Sequence, residues 1–251
     1  MNYRFIPYKE YNPYRKTALN EVALRSVKDG GDPIVWFSGW DRETVNIGNA
    51  QTVGDEVNEE FIRQESICLV RRQGGGGAVF LAPGNELSWS MVLPTSMVSD
   101  SKREVYRDIT STLIATLKEL GATAKWEPVN DVVIGNRKVS GGTMKQSGSA
   151  TYIGATLIYD FDAERMFTAL TPDAEKYEAK GYESIRDRVT SVKKETGVSF
   201  KELRSVFKKH ILRDKQWRTS EWTGVEQRHA KHLQRKYESD EWVHRNNSSR
   251  N

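Results

Sequence analysis

Residues 71–85 read Arg71-Arg72-Gln73-Gly74-Gly75-Gly76-Gly77-Ala78-Val79-Phe80-Leu81-Ala82-Pro83-Gly84-Asn85. Two arginines lead into a glycine run held between apolar, strand-like stretches, ICLV (67–70) and GAVFL (77–81). Successive glycines let a backbone approach a ligand closely and aim several N–H groups at it, while arginine adds forked donors suited to phosphate or carboxylate. This composition suits an anion. No Gly-Lys-Ser/Thr follows, so it is not a P-loop, and a strand rather than a helix is expected next, so it is not the dinucleotide fingerprint. By itself the run would also serve as a plain hairpin loop.

Upstream, Asn12 and Pro13 open LNEVALRSVKDGG as a helix that closes near Gly30, with Asn12 as its cap. Short β-rich runs follow at 33–37, 44–48 and 67–70, then 77–81 and the alternating LSWSMVL of 87–93. Downstream, Ser101 and Glu104 have capping-box spacing ahead of Val105, Ile109, Leu113, Leu117 and Leu120, one apolar helix face that Gly121 ends. Gly135-Asn136 predicts a tight hairpin, ATYIGATLIYD (150–160) another strand, and Thr171-Pro172 to Gly181 a short helix. Ser199 and Glu202 repeat the capping-box spacing, and a last helix is expected to carry Trp222, Val225, His229, Leu233 and Tyr237 on one face. Strands grouped before and between helices, without βαβ alternation, predict an α+β fold: a mixed, largely antiparallel sheet with packed helices.

A second stretch, Asn130-Asp131-Val132-Val133-Ile134-Gly135-Asn136-Arg137-Lys138-Val139-Ser140-Gly141-Gly142, fixes a lysine just beyond the hairpin turn. Such a lysine can neutralise a carboxylate and a phosphate at once, as is needed when an acid attacks the α-phosphate of ATP. Asp131 could hold Mg2+. An exposed strand lysine and a turn-forming aspartate are the plainer alternative.

Taken in order, these stretches resemble the lipoate-protein ligases of the biotin/lipoate ligase superfamily. The family pattern of an arginine pair, a glycine loop ending Gly-Gly-Gly-Ala-Val-Tyr/Phe and a Gly-Asn stands here as RRQGGGGAVFLAPGN (71–85). Its later Asn-Asp, hairpin and Gly-x-Lys-Ile/Val-Ser-Gly stand as NDVVIGNRKVSG (130–141). ALNEVAL (18–24), VNIGNAQ (45–51) and GYESIRDRVTSV (181–192) also resemble the family, so the likeness covers most of 12–192.

The resemblance implies the fold of biotin ligases and class II aminoacyl-tRNA synthetases. It implies ATP, Mg2+ and lipoate or octanoate as reactants, an acyl-adenylate intermediate, and transfer to a lysine of a lipoyl domain. It assigns acyl-adenylate contacts to Arg71, Arg72, Gly74, Gly75, Gly76, Gly77, Ala78, Val79, Phe80, Asn130, Asp131, Lys138, Ser140 and Gly141. Asn85 shapes the loop, Lys138 is the catalytic residue and Asp131 stands beside Mg2+. The partners implied are lipoyl domains of 2-oxoacid dehydrogenase E2 subunits, glycine cleavage H protein or a similar carrier.

Two departures stand out. The family's usual His-Asp after the glycine loop is Leu81-Ala82 here, and its histidine before a glycine beyond the lysine is Ile153 before Gly154. Both suggest a more apolar acyl tunnel, altered acid specificity or weakened catalysis. The expected organisation is a ligase-like core over 1–192 and a helical segment of the same domain over 193–251. No accessory domain is expected in this chain, so either a separate subunit supplies it, the reading preferred because a missing lid would expose the adenylate to water, or the enzyme works without it.

Composition narrows the alternatives. Cys68 is the only cysteine, which excludes an internal disulfide and leaves one candidate for a transferase that moves octanoyl or lipoyl groups from a carrier without ATP. It sits in an apolar run, which suits a buried structural thiol better. No apolar run is long enough to span a bilayer and no secretory leader is evident, so a cytoplasmic enzyme is expected. Residues 193–251 carry 15 Lys/Arg against 8 Asp/Glu within a net charge of +4, which either steers an acidic lipoyl domain or decorates solvated helices. A non-catalytic relative that binds nucleic acid is disfavoured because no helix-turn-helix pattern is present. His229 and His232 lack partners at metal-ligand spacing.

Overall fold

A computed structural model describes residues 2–171 and 188–245. Eleven strands and nine helices are present among them: β1 (Asn2–Tyr11), α1 (Pro13–Lys28), β2 (Ile34–Trp40), β3 (Thr44–Ile47), α2 (Val53–Glu56), α3 (Glu59–Gln64), β4 (Cys68–Arg71), β5 (Val79–Leu81), β6 (Glu86–Pro94), α4 (Lys102–Glu119), β7 (Ala124–Glu127), β8 (Asp131–Ile134), β9 (Arg137–Ser147), β10 (Ala150–Ile158), α5 (Ala163–Ala169), α6 (Val192–Thr196), α7 (Phe200–Ile211), β11 (Gln216–Thr219), α8 (Gly224–Glu238) and α9 (Asp240–Val243).

Eight strands form one sheet in the order β11-β1-β2-β6-β10-β9-β8-β7, and β4-β3-β5 form a second, smaller one. β1 runs parallel to β2 and β11, and the other pairs of the large sheet are antiparallel. The class is α+β, as the sequence predicts.

Strand alternation divides the large sheet into two faces. Phe37, Leu87, Trp89, Ile153 and Leu157 point to one side, where Val105, Ile109, Leu113 and Leu117 of α4 and Leu203, Phe207 and Ile211 of α7 close a buried core. Ile34, Trp36 and Val92 pack on the other side against Leu19, Val22 and Ala23 of α1 and Ala230, Leu233 and Tyr237 of α8. Each fully buried leucine here contributes about 2 kcal/mol of transfer free energy. Glu86, Ser88 and Ser90 alternate with Leu87 and Trp89 and therefore lie on the α1 face.

The helix starts carry the expected caps. Asn12 accepts from the Tyr14 and Arg15 amides, and Ser101 and Ser199 accept from those of Glu104 and Glu202. Glu104 turns to the Ser99 hydroxyl instead of completing a capping box, and the reciprocal box is at Thr223 and Glu226. In the β8–β9 hairpin only Gly135 takes a positive φ, 63°. The expected face belongs to α8, which starts after the buried Trp222 and buries Glu226, Ala230, Leu233 and Tyr237, whereas Val225 and His229 are exposed, because the capping box turns Glu226 inward to meet Arg4. The helix expected over 171–181 lies almost entirely outside the described residues, as does the first part of the 181–192 stretch.

Candidate functional site

A cavity of about 450 Å3 opens on the α1 face of the large sheet. Register sets its floor. Across β6, β10 and β9, Glu86 opposes Ile158, then Ser88 opposes Thr156 beside Gly141, and Ser90 opposes Gly154 beside Thr143. The glycine loop between β4 and β5 forms one wall with Val79, Phe80, Leu81 and Ala82, and Phe161, Met166, Phe167 and Leu170 in and around α5 extend it as an apolar surface. Lys16 and Asn20 of α1 and Trp40 at the end of β2 line it as well.

The two arginines part company because neighbours on a strand point to opposite sides. Arg72 lines the cavity and ties the loop together, donating to the carbonyls of Asn46 (2.8 Å), Gly75 (2.9 Å) and Gly77 (2.8 Å). Burial lowers its guanidinium to about 10, which leaves it cationic at neutral pH. Arg71 is fully buried behind the wall, where it donates to the carbonyls of Gly48, Asn49, Gln51 and Val243. Its expected ligand contact is replaced by a structural role. The carbonyl of Gly74 accepts from the Asn49 amide and that of Gly75 also from the Thr143 hydroxyl. Gly76 takes φ 94°, and a side chain at Gly48 would run into its carbonyl.

Lys138, one-third exposed, reaches the cavity from β9 with its Nζ 2.7 Å from Asp131 Oδ1, an ion pair outside hydrogen-bonding angles. The Thr190 amide holds the Lys138 carbonyl, and Arg188 and Val189 line the cavity beside it. Asn130 grips Gly142 twice, its Nδ2 donating to the Gly142 carbonyl at 2.6 Å and its own carbonyl accepting from the Gly142 amide at 2.9 Å. The Asn85 carbonyl accepts from the Tyr159 and Asp160 amides, which secures the turn ahead of β6.

The structure thus gathers Arg72, Gly75, Gly76, Gly77, Ala78, Val79, Phe80, Asn85, Asn130, Lys138 and Gly141 around one cavity. Gly74 faces a small neighbouring pocket with Gln73, Lys145 and Tyr237. Ser140 is buried with its hydroxyl unpartnered, and Asp131 meets the cavity only through Lys138. Among the described residues no group of three His, Cys, Asp or Glu could hold a metal. Asp131, whose buried Oδ1 has no hydrogen-bond partner beside the Lys138 ammonium, is a single carboxylate of the kind that shares a Mg2+ with substrate phosphates.

Sequence reasoning missed the most perturbed groups in the site. Lys16 and Glu86 are both buried and line the cavity. Burial lowers the Lys16 ammonium to about 7, against the pull of Glu86. It pushes the Glu86 carboxyl up to about 8, against the pull of Lys16 and the nearby Ala82 backbone. The signal available was the polar alternation Glu86, Ser88, Ser90 within an otherwise apolar strand.

The apolar tunnel expected from the two departures is one-sided. Leu81 and Ala82 do belong to the apolar wall, but Ile153 is buried in the core beneath the sheet and its neighbour Gly154 faces the cavity. Cys68 lies outside the cavity lining, and burial raises its thiol, the wrong direction for a nucleophile. Lys209 pairs with Glu119 at 2.8 Å and Lys208 lies over the Phe5 and Trp217 rings, so part of the basic C-terminal charge is engaged within the chain. No helix among the described residues is long and apolar enough to cross a membrane.

Residues 12–212 match the family described as lipoyl protein ligase A/B catalytic domain. A lipoate–protein ligase of Streptococcus pyogenes is 36% identical over 150 residues, 59% of this chain and 43% of that protein. The chain spans about half the length of the curated relatives it matches. A solved bi-partite lipoate protein ligase, studied with its E2 lipoyl domain, from Thermoplasma acidophilum has a TM-score of 0.86 at 27% identity, covering 98% of this chain and 97% of that one. A lipoate-protein ligase A structure bound with ATP has a TM-score of 0.85 at 25% identity, covering 98% of this chain and 100% of that one.

Proposed function

Because the chain belongs to the lipoyl protein ligase A/B catalytic-domain family, we propose that it activates a lipoyl-type acid with ATP and transfers the acyl group to a lysine of a lipoyl domain. The acid's carboxylate attacks the α-phosphorus of ATP and pyrophosphate leaves. The acceptor amine then attacks the carbonyl of the acyl-adenylate and AMP leaves. The observation that carries this reading is the convergence of Lys138, Arg72 and the glycine loop on one cavity with an apolar wall.

Lys138 is the catalytic residue of the proposal. Its ammonium neutralises the charge that brings carboxylate and phosphate together, and later the charge on the departing phosphate. Asp131 positions it. Arg72 ties the loop carbonyls back, which leaves the opposite ends of those peptide dipoles for the phosphate. Asn130 holds the bend of β9 beside Lys138, and the apolar wall covers the aliphatic part of the acid and excludes water from the adenylate. A Mg2+ ion would arrive on the phosphates of ATP, with Asp131 as the protein carboxylate that would share it, and would neutralise phosphate charge there.

The acceptors proposed are lipoyl domains of 2-oxoacid dehydrogenase E2 subunits or glycine cleavage H protein, in the cytoplasm. Because the Thermoplasma acidophilum relative is described as bi-partite, a separate accessory subunit is proposed to assist. The test is to incubate the chain with lipoate and a lipoyl domain, with and without ATP, and to weigh the domain intact. A lipoyl mass gain that requires ATP supports the ligase. A gain from an acyl-carrier donor without ATP would replace it with a transferase.

A further inference from the structure

Two ionisable side chains face the same cavity without making an ion-pair contact. Glu86 is 3% exposed, and neither carboxyl oxygen has a hydrogen-bond partner of good geometry, the Ala82 backbone only approaching it. Lys16 is 6% exposed, and its Nζ lies 4.0 Å from the centre of the Trp40 ring. Asn46, also lining the cavity, has its buried Oδ1 unpartnered. Ser88 and Ser90 continue this polar strip along β6. Buried polar groups are nearly always satisfied, so unmatched acceptors clustered on a cavity wall suit a ligand that brings a hydrogen-bond donor.

The strip stands at the distance an acyl chain would cover. The Lys138 ammonium lies over Gly141, which stands beside Thr156 and, beyond it, Ser88, so it is two strands across and two residues along from Glu86. Two strand spacings of about 4.8 Å and a step of about 6.6 Å along the strand give a separation of about 12 Å. Three chain bonds span about 3.5 Å when extended, so an eight-carbon chain reaches about 8 Å, and a hydrogen bond of about 2.9 Å at each end extends its reach to about 14 Å. With the carboxylate at Lys138, the far end of such a chain arrives at Glu86 and Lys16. A plain alkyl end would leave the Glu86 carboxyl oxygens unmatched and the Lys16 ammonium with only the Trp40 ring.

We propose that Lys16 and Glu86, with Asn46, form a specificity subsite for a neutral hydrogen-bonding group, of the hydroxyl or amide type, at the far end of the acid. This rests on the ligase reading for the position of the carboxylate. The group donates to Glu86 or Asn46 and accepts from Lys16. The shifts of the two ionisable groups toward neutrality agree with a neutral rather than a charged end. A site built to hydrogen-bond a substrate discriminates against the analogue lacking that group far more strongly than an apolar pocket rejects an added hydroxyl.

The test compares 8-hydroxyoctanoate with octanoate in acid-dependent exchange of labelled pyrophosphate into ATP. It uses the full chain and the double variant Lys16→Met with Glu86→Leu. Apolar replacement of both members of a buried ionisable pair is often neutral for folding, and a melting curve confirms it. The expected result is a kcat/KM preference for the hydroxy acid of about tenfold or more in the wild type, lost or reversed in the variant. Equal use of the two acids by the wild type, or a preference that survives in the variant, overturns the subsite. If no acid, lipoate included, supports exchange, the chain does not activate acids by itself, and an acyl-carrier donor without ATP then separates a ligase that needs its accessory subunit from a transferase. Calorimetric titration of the same two acids without ATP then decides the subsite alone, by the same preference or its absence.

Discussion

Arg71 Nε donates to the carbonyl of Val243 at 2.8 Å, and the indole of Trp242 returns a bond to the Arg71 carbonyl at 3.0 Å. The strand that feeds the glycine loop is thereby locked to α9, 172 residues away. Replacing Arg71 with methionine strips the side-chain donor from four carbonyls and should cost about 3 kcal/mol or more of stability. Urea unfolding checks this. Arg72→Met should cost less stability yet raise the KM for ATP, because two of its three carbonyl partners belong to the glycine loop and only that of Asn46 to a strand.

Glu86 makes stability depend on pH in an unusual direction. Its folded carboxyl titrates near 8 and the ordinary value is 4.5, so between these the folded state holds a proton that the unfolded chain releases. Stability therefore falls as pH rises through that window. Lys16, lowered from 10.5 to about 7, acts oppositely at higher pH, and stability recovers between those values. Denaturation at about pH 5 and about pH 8 should show a loss in the wild type that Glu86→Gln reduces. An unchanged difference would contradict the burial of Glu86.

Arg4 and Glu226 form the complementary case. Two guanidinium nitrogens donate to the carboxylate at 2.7 and 2.8 Å, and the Thr223 amide adds a third bond at 2.8 Å. Burial opposes ionisation of Glu226, but these bonds outweigh it and hold the carboxyl below its usual range. Its stabilisation is complete above the ordinary value of 4.5 and disappears as pH falls through the lower folded value. Glu226→Gln should be less stable than wild type at neutral pH, with the gap narrowing in acid unfolding.

Much of the frame was legible because it is written locally. Asn12 before Pro13 marks the start of α1, Gly135 marks the hairpin, and the period of Val105 to Leu117 marks the buried face of α4. The glycine loop and Lys138 were legible as chemistry. β1 was not, since its parallel pairing with β2 and β11 is non-local and shifts register between Ile6 and Lys9. Adjacent residues on a strand must diverge, so Arg71 and Arg72 could be told apart in principle, but which one faces the cavity depends on the layer laid over them. Lys16 and Glu86 look like ordinary charges in a helix and a strand, and only the stacking of α1 over β6 reveals them as buried neighbours of one cavity.

The central claim is that Lys138 serves adenylation. Exchange of labelled pyrophosphate into ATP, dependent on added lipoate or 8-hydroxyoctanoate, isolates that step from any acceptor. The wild type should exchange label, and Lys138→Ala should lose about 100-fold or more of the rate while melting near the wild-type temperature, since Lys138 is one-third exposed. Exchange that persists undiminished in a folded Lys138→Ala protein would contradict the account.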